Sequence, residues 1–323
     1  MGNIAIGSNT FSNVKLGNNQ VKSVYLGNNL VWSNFTYLLD LYPATPAYHA
    51  YSLRKLRNLY GGFCLRIRRT TTSPTTTTTV DLSFDENNTI SFSSGISTAV
   101  SGTATSATTL GQFAAGTVDG FTASSINVVT WYDQSGNGKN VTQATLTSQP
   151  FLVTTGVLEV IDGSVAVRFN ATNIQQLSLA DASTSYSNMS CFVLSNPTSA
   201  TVNTSAYGQG ALSSNARLFM PSGTAISYNT SATFPITGQT AGADRLYELI
   251  CGASTTSGYS NGIQSSVTSI ASILTSNTTI RLGANGSSPS IYLNGYIKEI
   301  IAFTGAPSRT GVETNINSYY NVW

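Results

Sequence analysis

Paired carboxylates are the side chains of this sequence with the clearest capacity for chemistry. Asp244 and Glu248 lie four residues apart in a strand-like run, where alternation would place both carboxyl groups on one face. Two facing carboxylates can act as general acid and as base or nucleophile. The preceding stretch, residues 182–243, contains no Asp or Glu that could complete such a pair. We keep Asp244 and Glu248 as a candidate pair and predict no catalytic residue from the sequence.

Other catalytic and ligand-binding chemistries have little support in the residues. His49 is the only histidine, and its aromatic surroundings indicate a packed or capping side chain rather than a member of a catalytic triad. Three cysteines, Cys64, Cys191 and Cys251, form no CxxC or Cys/His cluster, which favours buried free thiols over disulfides or zinc ligands. The sequence holds no phosphate-binding glycine motif. We therefore predict no metal site and no cofactor.

A polar loop follows the strand-like run that ends at Trp131. Its side-chain acceptors and its glycines, which permit positive φ, predict a tight structural loop. The loop residues are Tyr132, Asp133, Gln134, Ser135, Gly136, Asn137 and Gly138. Asp133 has two readings, as a ligand of Ca²⁺ or a sugar hydroxyl and as an acceptor for the loop's own N–H groups. The structural reading is favoured, because the loop supplies a single carboxylate and a lectin-like calcium site usually gathers several ligands.

Sugar recognition would require aromatic rings for stacking beside polar side chains for hydrogen bonds. Three tyrosines close to turn-rich segments meet the first requirement, and two side chains of the polar loop meet the second. The candidate glycan-binding residues are Asp133, Asn137, Tyr228, Tyr259 and Tyr292.

Composition limits the kinds of partner. Only 9% of the 323 residues are charged, against a usual value of about 25%, and the net charge is +2, so no nucleic-acid partner is expected. A basic cluster at residues 54–69 holds six of the fifteen Lys and Arg residues. We interpret it as a solvated face with ion pairs rather than as a surface that binds a glycan or nucleic acid. No apolar stretch approaches the roughly 18 residues of a transmembrane helix, and residues 1–4 lack the features of a secretory signal.

The first 33 residues contain a repeat with a period of ten. Each unit reads apolar-x-apolar-Gly-polar-Asn, with glycines at Gly7, Gly17 and Gly27, and the segment ends near Trp32. This pattern predicts short strands and tight turns that cannot close a core alone. We therefore divide the chain into a β-repeat segment, residues 1–34, and a main domain, residues 35–323. The repeat segment is either an attachment and oligomerisation element or a hairpin packed on the main domain.

The remaining pattern predicts an all-β protein with one or two short helices. Apolar spacing predicts a helix over 50–60 and a closing helix over 308–320. Asp162-Gly163 and Asn294-Gly295 are signals of two-residue hairpins. Further strands are predicted at residues 65–68, 189–194, 246–251 and 279–282. Many short strands at regular spacing predict a two-sheet antiparallel β-sandwich.

Four segments carry a resemblance to known families. Residues 132–138, together with 51–56, 64–69 and 166–169, resemble the catalytic domain of fungal-type α-L-arabinofuranosidases, and resemble even more the concanavalin-like (LamG-type) modules of phage structural proteins. The resemblance covers roughly residues 38–323. It implies a concanavalin-like jelly roll.

The resemblance also implies a function. Arabinofuranosidases place their nucleophile well after the polar loop, where this chain has the acid-free stretch 182–243, so we predict that the protein is not an enzyme. The phage likeness implies a homotrimeric head fibre, tail fibre or capsid decoration protein on the virion surface, made in the host cytoplasm. Residues 1–34 would attach it to other virion proteins, without membrane insertion, and the sandwich would bind host-surface glycans. The alternatives are a glycoside hydrolase of arabinofuranosidase type and a purely structural capsid cement.

Overall fold

The protein is described by a computed structural model. It describes residues 15–16, 19–20, 23–26, 29–33, 37–71, 76–122, 124–181, 189–198, 204–209, 217–219, 225–228, 232–235, 241–251, 255–268, 278–285, 289 and 291–323. Gly7, Gly17 and Gly27 lie outside these residues. Trp32 lies in a described strand, but its side chain is not described.

The described chain is built almost entirely of strands. They are β1 (Lys15–Leu16), β2 (Asn19–Gln20), β3 (Ser23–Leu26), β4 (Asn29–Ser33), β5 (Ala47–Ser52), β6 (Leu65–Thr70), β7 (Thr77–Leu82), β8 (Ser101–Gly102), β9 (Ile126–Trp131), β10 (Val141–Thr142), β11 (Phe151–Thr154), β12 (Val157–Leu158), β13 (Val160–Ile161), β14 (Ser164–Val165), β15 (Val167–Phe169), β16 (Leu177–Asp181), β17 (Ser190–Pro197), β18 (Tyr207–Gln209), β19 (Arg217–Phe219), β20 (Ala225–Tyr228), β21 (Ala232–Pro235), β22 (Arg245–Cys251), β23 (Thr256–Ser260), β24 (Ile263–Thr268), β25 (Thr278–Leu282) and β26 (Gly295–Phe303). The α-helices are α1 (Leu110–Ala115) and α2 (Arg309–Tyr320).

Two antiparallel sheets form the sandwich, as the sequence predicts. Sheet A has the order β24–β23–β22–β17–β26–β5. Sheet B has the order β8–β7–β6–β9–β10–β16–β25–β18–β19–β20–β21. Strands β15 and β11 join them, because β15 pairs with β26 and with β11, which in turn pairs with β9. The predicted all-β sandwich fold is thus confirmed.

Each face of sheet A covers a core of its own. Between the sheets lies the larger core, in which Trp131, Tyr207 and Tyr247 are among the largest buried side chains. The outer face of sheet A carries a second apolar cluster that includes Phe192 and Ile301 and is covered by α2. Helix α2 is therefore held by burial of its apolar face against the sheet.

Helix α2 has the ends that the sequence predicts. Ser308 is the N-cap, and its hydroxyl accepts a hydrogen bond from the Gly311 N–H at 3.4 Å. At the other end Asn321 adopts a left-handed conformation with φ of 53°. Val312 and Ile316 are buried against sheet A. Neither α1 nor α2, the two α-helices of the described residues, is long and apolar enough to span a membrane.

Local sequence patterns predict one hairpin correctly, and predict a helix and a second hairpin that the structure does not contain at those residues. The Asp162-Gly163 turn joins β13 and β14 with both residues at positive φ, as a two-residue hairpin requires. The helix predicted over 50–60 is wrong, because residues 47–52 form β5, whose pairing with β26 overrides the helical spacing. The hairpin predicted at Asn294-Gly295 is also wrong, because Gly295 is already in β26 and pairs with β15 and β17.

Candidate active-site cleft

A buried ion pair lies next to the candidate site. Arg54 donates to Glu299 from Nε at 2.7 Å and from Nη2 at 2.9 Å, a bidentate arrangement on the outer face of sheet A. The Ser52 hydroxyl and the Tyr320 hydroxyl donate to the same Glu299 carboxylate at 2.7 and 3.2 Å. Arg54 and Glu299 are 5% and 1% exposed, so their charges depend on this network for compensation.

A cleft of about 240 Å³ is lined by Tyr319 and Tyr320, the two tyrosines that contact this ion pair. Tyr319 and Tyr320, at the C-terminal end of α2, form one wall, and the Arg54 guanidinium lies 4.6 Å from the Tyr319 ring centroid. Tyr319 is 41% exposed, whereas Tyr320 is 4% exposed. The cleft is lined by Leu53, Thr89, Ile90, Gly163, Ser164, Val165, Tyr319 and Tyr320.

Two carboxylates meet beside the cleft, next to the turn that contributes Gly163. Asp162 Oδ2 accepts a hydrogen bond from the Asp244 backbone N–H at 2.9 Å. Asn196 Nδ2 donates to Asp162 Oδ2 at 3.1 Å and to Asp244 Oδ1 at 3.3 Å. Because both oxygens accept a hydrogen bond from one nitrogen atom, the two carboxyl groups are neighbours. A retaining glycosidase requires two neighbouring carboxyl groups, at a spacing of roughly 5–5.5 Å.

A buried lysine connects this carboxylate pair to the tyrosine wall. Lys298 Nζ forms an ion pair with Asp244, donates to the Ile161 carbonyl at 2.7 Å, and lies 5.8 Å from the Tyr320 ring centroid. Burial is the largest influence on Asp244 and raises its pKa, although the Lys298 ammonium opposes the shift. Asp162 is exposed at its turn. The two carboxyl groups therefore have unequal surroundings, as the acid and the nucleophile of a glycosidase must have.

Asp244 and Glu248 do share the outer face of sheet A, but they do not form a pair. Four residues of an extended strand separate their Cα atoms by about 13 Å, well beyond the spacing of a retaining pair. Glu248 instead lies against Glu313 of α2. The sequence identified Asp244 and missed Asp162, whose position in an obvious hairpin turn gave no sign of a partner 82 residues away.

The polar loop 132–138 is folded around its own side chains and β5. Asp133 accepts hydrogen bonds from the backbone N–H groups of Ala50, Ser135 and Lys139 and from the Ser135 hydroxyl, at 2.6–3.0 Å. Asn137 donates to the Ala47 and Tyr48 carbonyls at 2.9 and 3.0 Å. These contacts favour the structural reading of the loop, and a role of Asp133 or Asn137 in glycan binding stays a prediction.

The loop also holds the backbone around the buried ion pair. Gln134 Nε2 donates to the Ser52 and Arg54 carbonyls at 2.9 and 3.0 Å, and its Oε1 accepts from the Leu56 N–H at 2.8 Å. The Tyr132 hydroxyl donates to Asp81 at 2.7 Å. Gly136 and Gly138 supply the positive φ values that close the loop. The motif therefore holds the backbone from which Arg54 extends.

The three candidate tyrosines come from three separate segments of the chain. Tyr259 lies in β23 beside Glu248, with the Arg309 guanidinium 4.2 Å from its ring centroid. Tyr292 is paired with Ala284 near the end of β25. Tyr228 lies in β20, and its side chain is outside the described residues. A glycan-binding role for each of them stays a prediction.

The basic cluster and the histidine are both built into the framework. In the basic cluster, Arg54, Arg66 and Arg69 form ion pairs with Glu299, Asp81 and Asp119 respectively. His49 is fully buried, its Nε2 lies 2.9 Å from the Tyr207 hydroxyl, and burial lowers its pKa to about 4. Among the residues that the structure describes, no three His, Cys, Asp or Glu side chains are grouped so as to hold a metal ion.

Solved structures of arabinofuranosidases share this fold. A GH54 α-L-arabinofuranosidase soaked with a cyclic sulfate inhibitor matches with a TM-score of 0.55 and 16% identity, covering 87% of this chain and 65% of that one. An arabinofuranosidase complexed with arabinofuranosyl-α-1,2-xylobiose matches with a TM-score of 0.54 and 16% identity, covering 87% and 64%. The chain thus spans about 65% of the length of the first enzyme. No protein-family profile matches the chain, and no curated protein matches its sequence.

The fold is therefore a β-sandwich shared with arabinofuranosidases, and this likeness contradicts the prediction that the protein is not an enzyme. The structures that match 87% of the chain are those of enzymes. The acid-free stretch 182–243, on which that prediction depended, does not prevent carboxylates from other segments from meeting, as Asp162 and Asp244 do. The comparisons give no support to a phage origin, and at this identity they establish the fold alone.

Proposed function

We propose that the chain is a glycoside hydrolase acting on arabinose-containing glycans at the cleft. The observation that carries the proposal is the Asp162–Asp244 pair beside a tyrosine-walled cleft, in a fold shared with arabinofuranosidases. The exposed ring of Tyr319 provides a surface on which the apolar face of a sugar stacks. The substrate class follows the arabinofuranosyl ligand of the second similar structure.

Each side chain of the pair has a distinct role in this reaction. Asp244, whose pKa is raised mainly by burial, donates a proton to the glycosidic oxygen. Lys298 stabilises the carboxylate that remains after the proton leaves. Asp162 attacks or stabilises the anomeric carbon, and the later attack of water is assisted by Asp244 acting as base.

Hydrolysis of 4-nitrophenyl α-L-arabinofuranoside by the full chain tests the proposal. Asp244→Asn and Asp162→Asn should each lower kcat by about 100-fold or more, because each removes one of two groups that act in the same step. Asp40→Asn, at an exposed carboxylate of the short turn before β5, is the matched control and should keep wild-type activity. Absence of turnover by the wild type, or full activity in both cleft variants, would exclude a hydrolase at this site.

The role of residues 1–34 is a separate proposal that rests on the ten-residue repeat. Strands β1–β2 and β3–β4 form two-stranded sheets of their own. We propose that this segment attaches the sandwich to a larger assembly and favours trimers, as the phage resemblance implies. A location on a virion, other virion proteins as partners and host-surface glycans as ligands are part of the same proposal.

A further inference from the structure

Two glutamates and one arginine form a buried cluster between sheet A and the start of α2. Glu248 of β22 is 0% exposed and Glu313 of α2 is 7% exposed. Arg309 forms an ion pair with Glu313, and its Nη1 lies 3.9 Å from Glu248 Oε2, which has no hydrogen-bond partner. Gly262 donates from its N–H to Glu248 Oε1 at 3.4 Å. Two buried carboxyl groups thus share one cation, whose own side chain is 24% exposed.

The charge balance of this cluster requires a proton. With both carboxyl groups ionised, one of two buried negative charges would have no counterion of its own, which is costly in a low-dielectric site. Burial and the neighbouring Glu313 carboxyl raise the pKa of Glu248 to about 9. Glu248 is therefore protonated and neutral while α2 is docked near neutral pH.

The same helix carries the wall of the cleft at its other end. Arg309 and Glu313 lie in its first turns, whereas Tyr319 and Tyr320 lie in its last turn. Between them Val312 and Ile316 pack on sheet A. Any movement of α2 away from the sheet displaces both tyrosines from the cleft.

We propose that the Glu248–Glu313 pair is a pH-sensitive latch that holds α2, and with it the tyrosine wall of the cleft, against sheet A. The latch is closed while the pair shares a proton and opens when the second carboxyl group ionises. It belongs to the helix and the sheet, and it operates whatever the cleft binds.

The groups facing Glu248 support this assignment. From α2 they are Glu313 and Arg309, from β23 the Tyr259 side chain, and from the following turn the Gly262 N–H. On its other side β17 presents the apolar Phe192 opposite Glu248. Among these described neighbours Arg309 is the only cation, so loss of the shared proton changes the net charge of the cluster from zero to minus one.

The sign of the pH effect follows from linkage. Glu248 binds its proton more tightly when α2 is docked than when the helix is released and the carboxyl group is solvated. Docking of α2 is therefore strongest at acid pH and weakens as pH rises. Above about pH 9 the proton on Glu248 no longer stabilises the docked helix. Between the two pKa values the open population rises up to about tenfold for each pH unit.

Hydrogen–deuterium exchange of α2 in the full chain tests the latch without any glycan. After correction for the intrinsic pH dependence of exchange, opening of α2 in the wild type should rise by about tenfold or more between pH 6 and pH 8. Glu248→Gln keeps the shape and can still donate to Glu313, so its opening should change by less than about twofold. Glu86→Gln, at an exposed carboxylate, is the control and should behave as the wild type.

Three results would overturn the latch. They are a wild-type α2 whose corrected exchange does not change with pH, a Glu248→Gln variant that responds as the wild type does, and α2 amides that exchange no faster than those of β17 and β26, which would show that the helix opens only by global unfolding. If Glu248→Gln does not fold, Glu313→Gln provides the same comparison. Because exchange is measured without substrate, failure of the proposed hydrolysis leaves this test unaffected.

Discussion

At the scale of single residues, the buried carboxylates of Asp133 and Glu299 each have several hydrogen-bond or ion-pair partners. Asp133 accepts three backbone and one hydroxyl hydrogen bond, and Glu299 is held by Arg54, Ser52 and Tyr320. With 9% of residues charged, few side chains can replace a lost partner. Removal of one partner therefore leaves the others buried and unsatisfied.

Asp133→Ala tests this dependence at the polar loop. The change leaves the N–H groups of Ala50, Ser135 and Lys139 without their acceptor, and each buried unsatisfied group costs about 1–3 kcal/mol. We expect the free energy of unfolding to fall by about 3 kcal/mol or more in urea denaturation. Asp40→Ala, which removes one exposed acceptor, should cost less than about 1 kcal/mol. Equal effects of the two changes would show that the loop does not depend on Asp133.

At the scale of elements, the sandwich depends on strands that pair far along the sequence, while the N-terminal strands do not. Strand β5 pairs with β26 about 250 residues later, and β26 also pairs with β15 and β17. In contrast, the described pairings of β1 to β4 are confined to neighbouring strands. Among the described residues, no strand pairing joins the β-repeat segment to the sandwich, and its independence stays a prediction.

Deletion of residues 1–34 tests this independence. We expect the remaining chain to keep the thermal unfolding midpoint of the full chain within about 2 °C, because none of the described pairings of β5 to β26 involves the segment. If the segment also drives assembly, sedimentation should show a trimer for the full chain and a monomer after deletion. An unchanged oligomeric state would remove the attachment role, and a large loss of stability would show that the segment packs on the sandwich.

At the scale of the whole molecule, two buried groups give opposing dependences on pH. The pKa of His49 is lowered from 6.5 to about 4, so the unfolded chain binds more protons in that range and stability rises with pH. The pKa of Glu248 is raised from 4.5 to about 9, so the folded chain binds more protons in that range and stability falls with pH. Above about pH 6.5 only the second contribution remains.

Urea unfolding at several pH values checks this balance. Because the two contributions nearly cancel between about pH 4.5 and 6.5, we expect the stability of the wild type to be nearly constant there and to fall by up to about 1.4 kcal/mol for each pH unit above it. In His49→Gln the fall should begin near pH 4.5, and Glu248→Gln should remove the fall between pH 6.5 and 9. Profiles for both variants that are parallel to the wild type would show that neither group controls the pH dependence.

The sequence predicted individual strands and helices more successfully than it predicted the candidate active site. Alternation identified the strand at 65–68, and apolar spacing identified α2. The candidate site was found only in part, as Asp244, because Arg54, Asp162, Asp244 and Glu299 come from four distant segments. One signal was available in the charged pair Lys298-Glu299 inside an otherwise apolar strand, since buried charges in such a strand require partners.

The sequence by itself determined that the chain is a β-sandwich with a closing helix, because alternating apolar residues, turn dipeptides and helix caps act over a few neighbouring residues. Only the tertiary structure decided that residues 47–52 are a strand, that Asp162 is the partner of Asp244, and that Glu248 faces Glu313 rather than Asp244. These outcomes depend on which strands become neighbours. Pairing and burial between distant segments supply more free energy than local propensity does, and local patterns do not specify them.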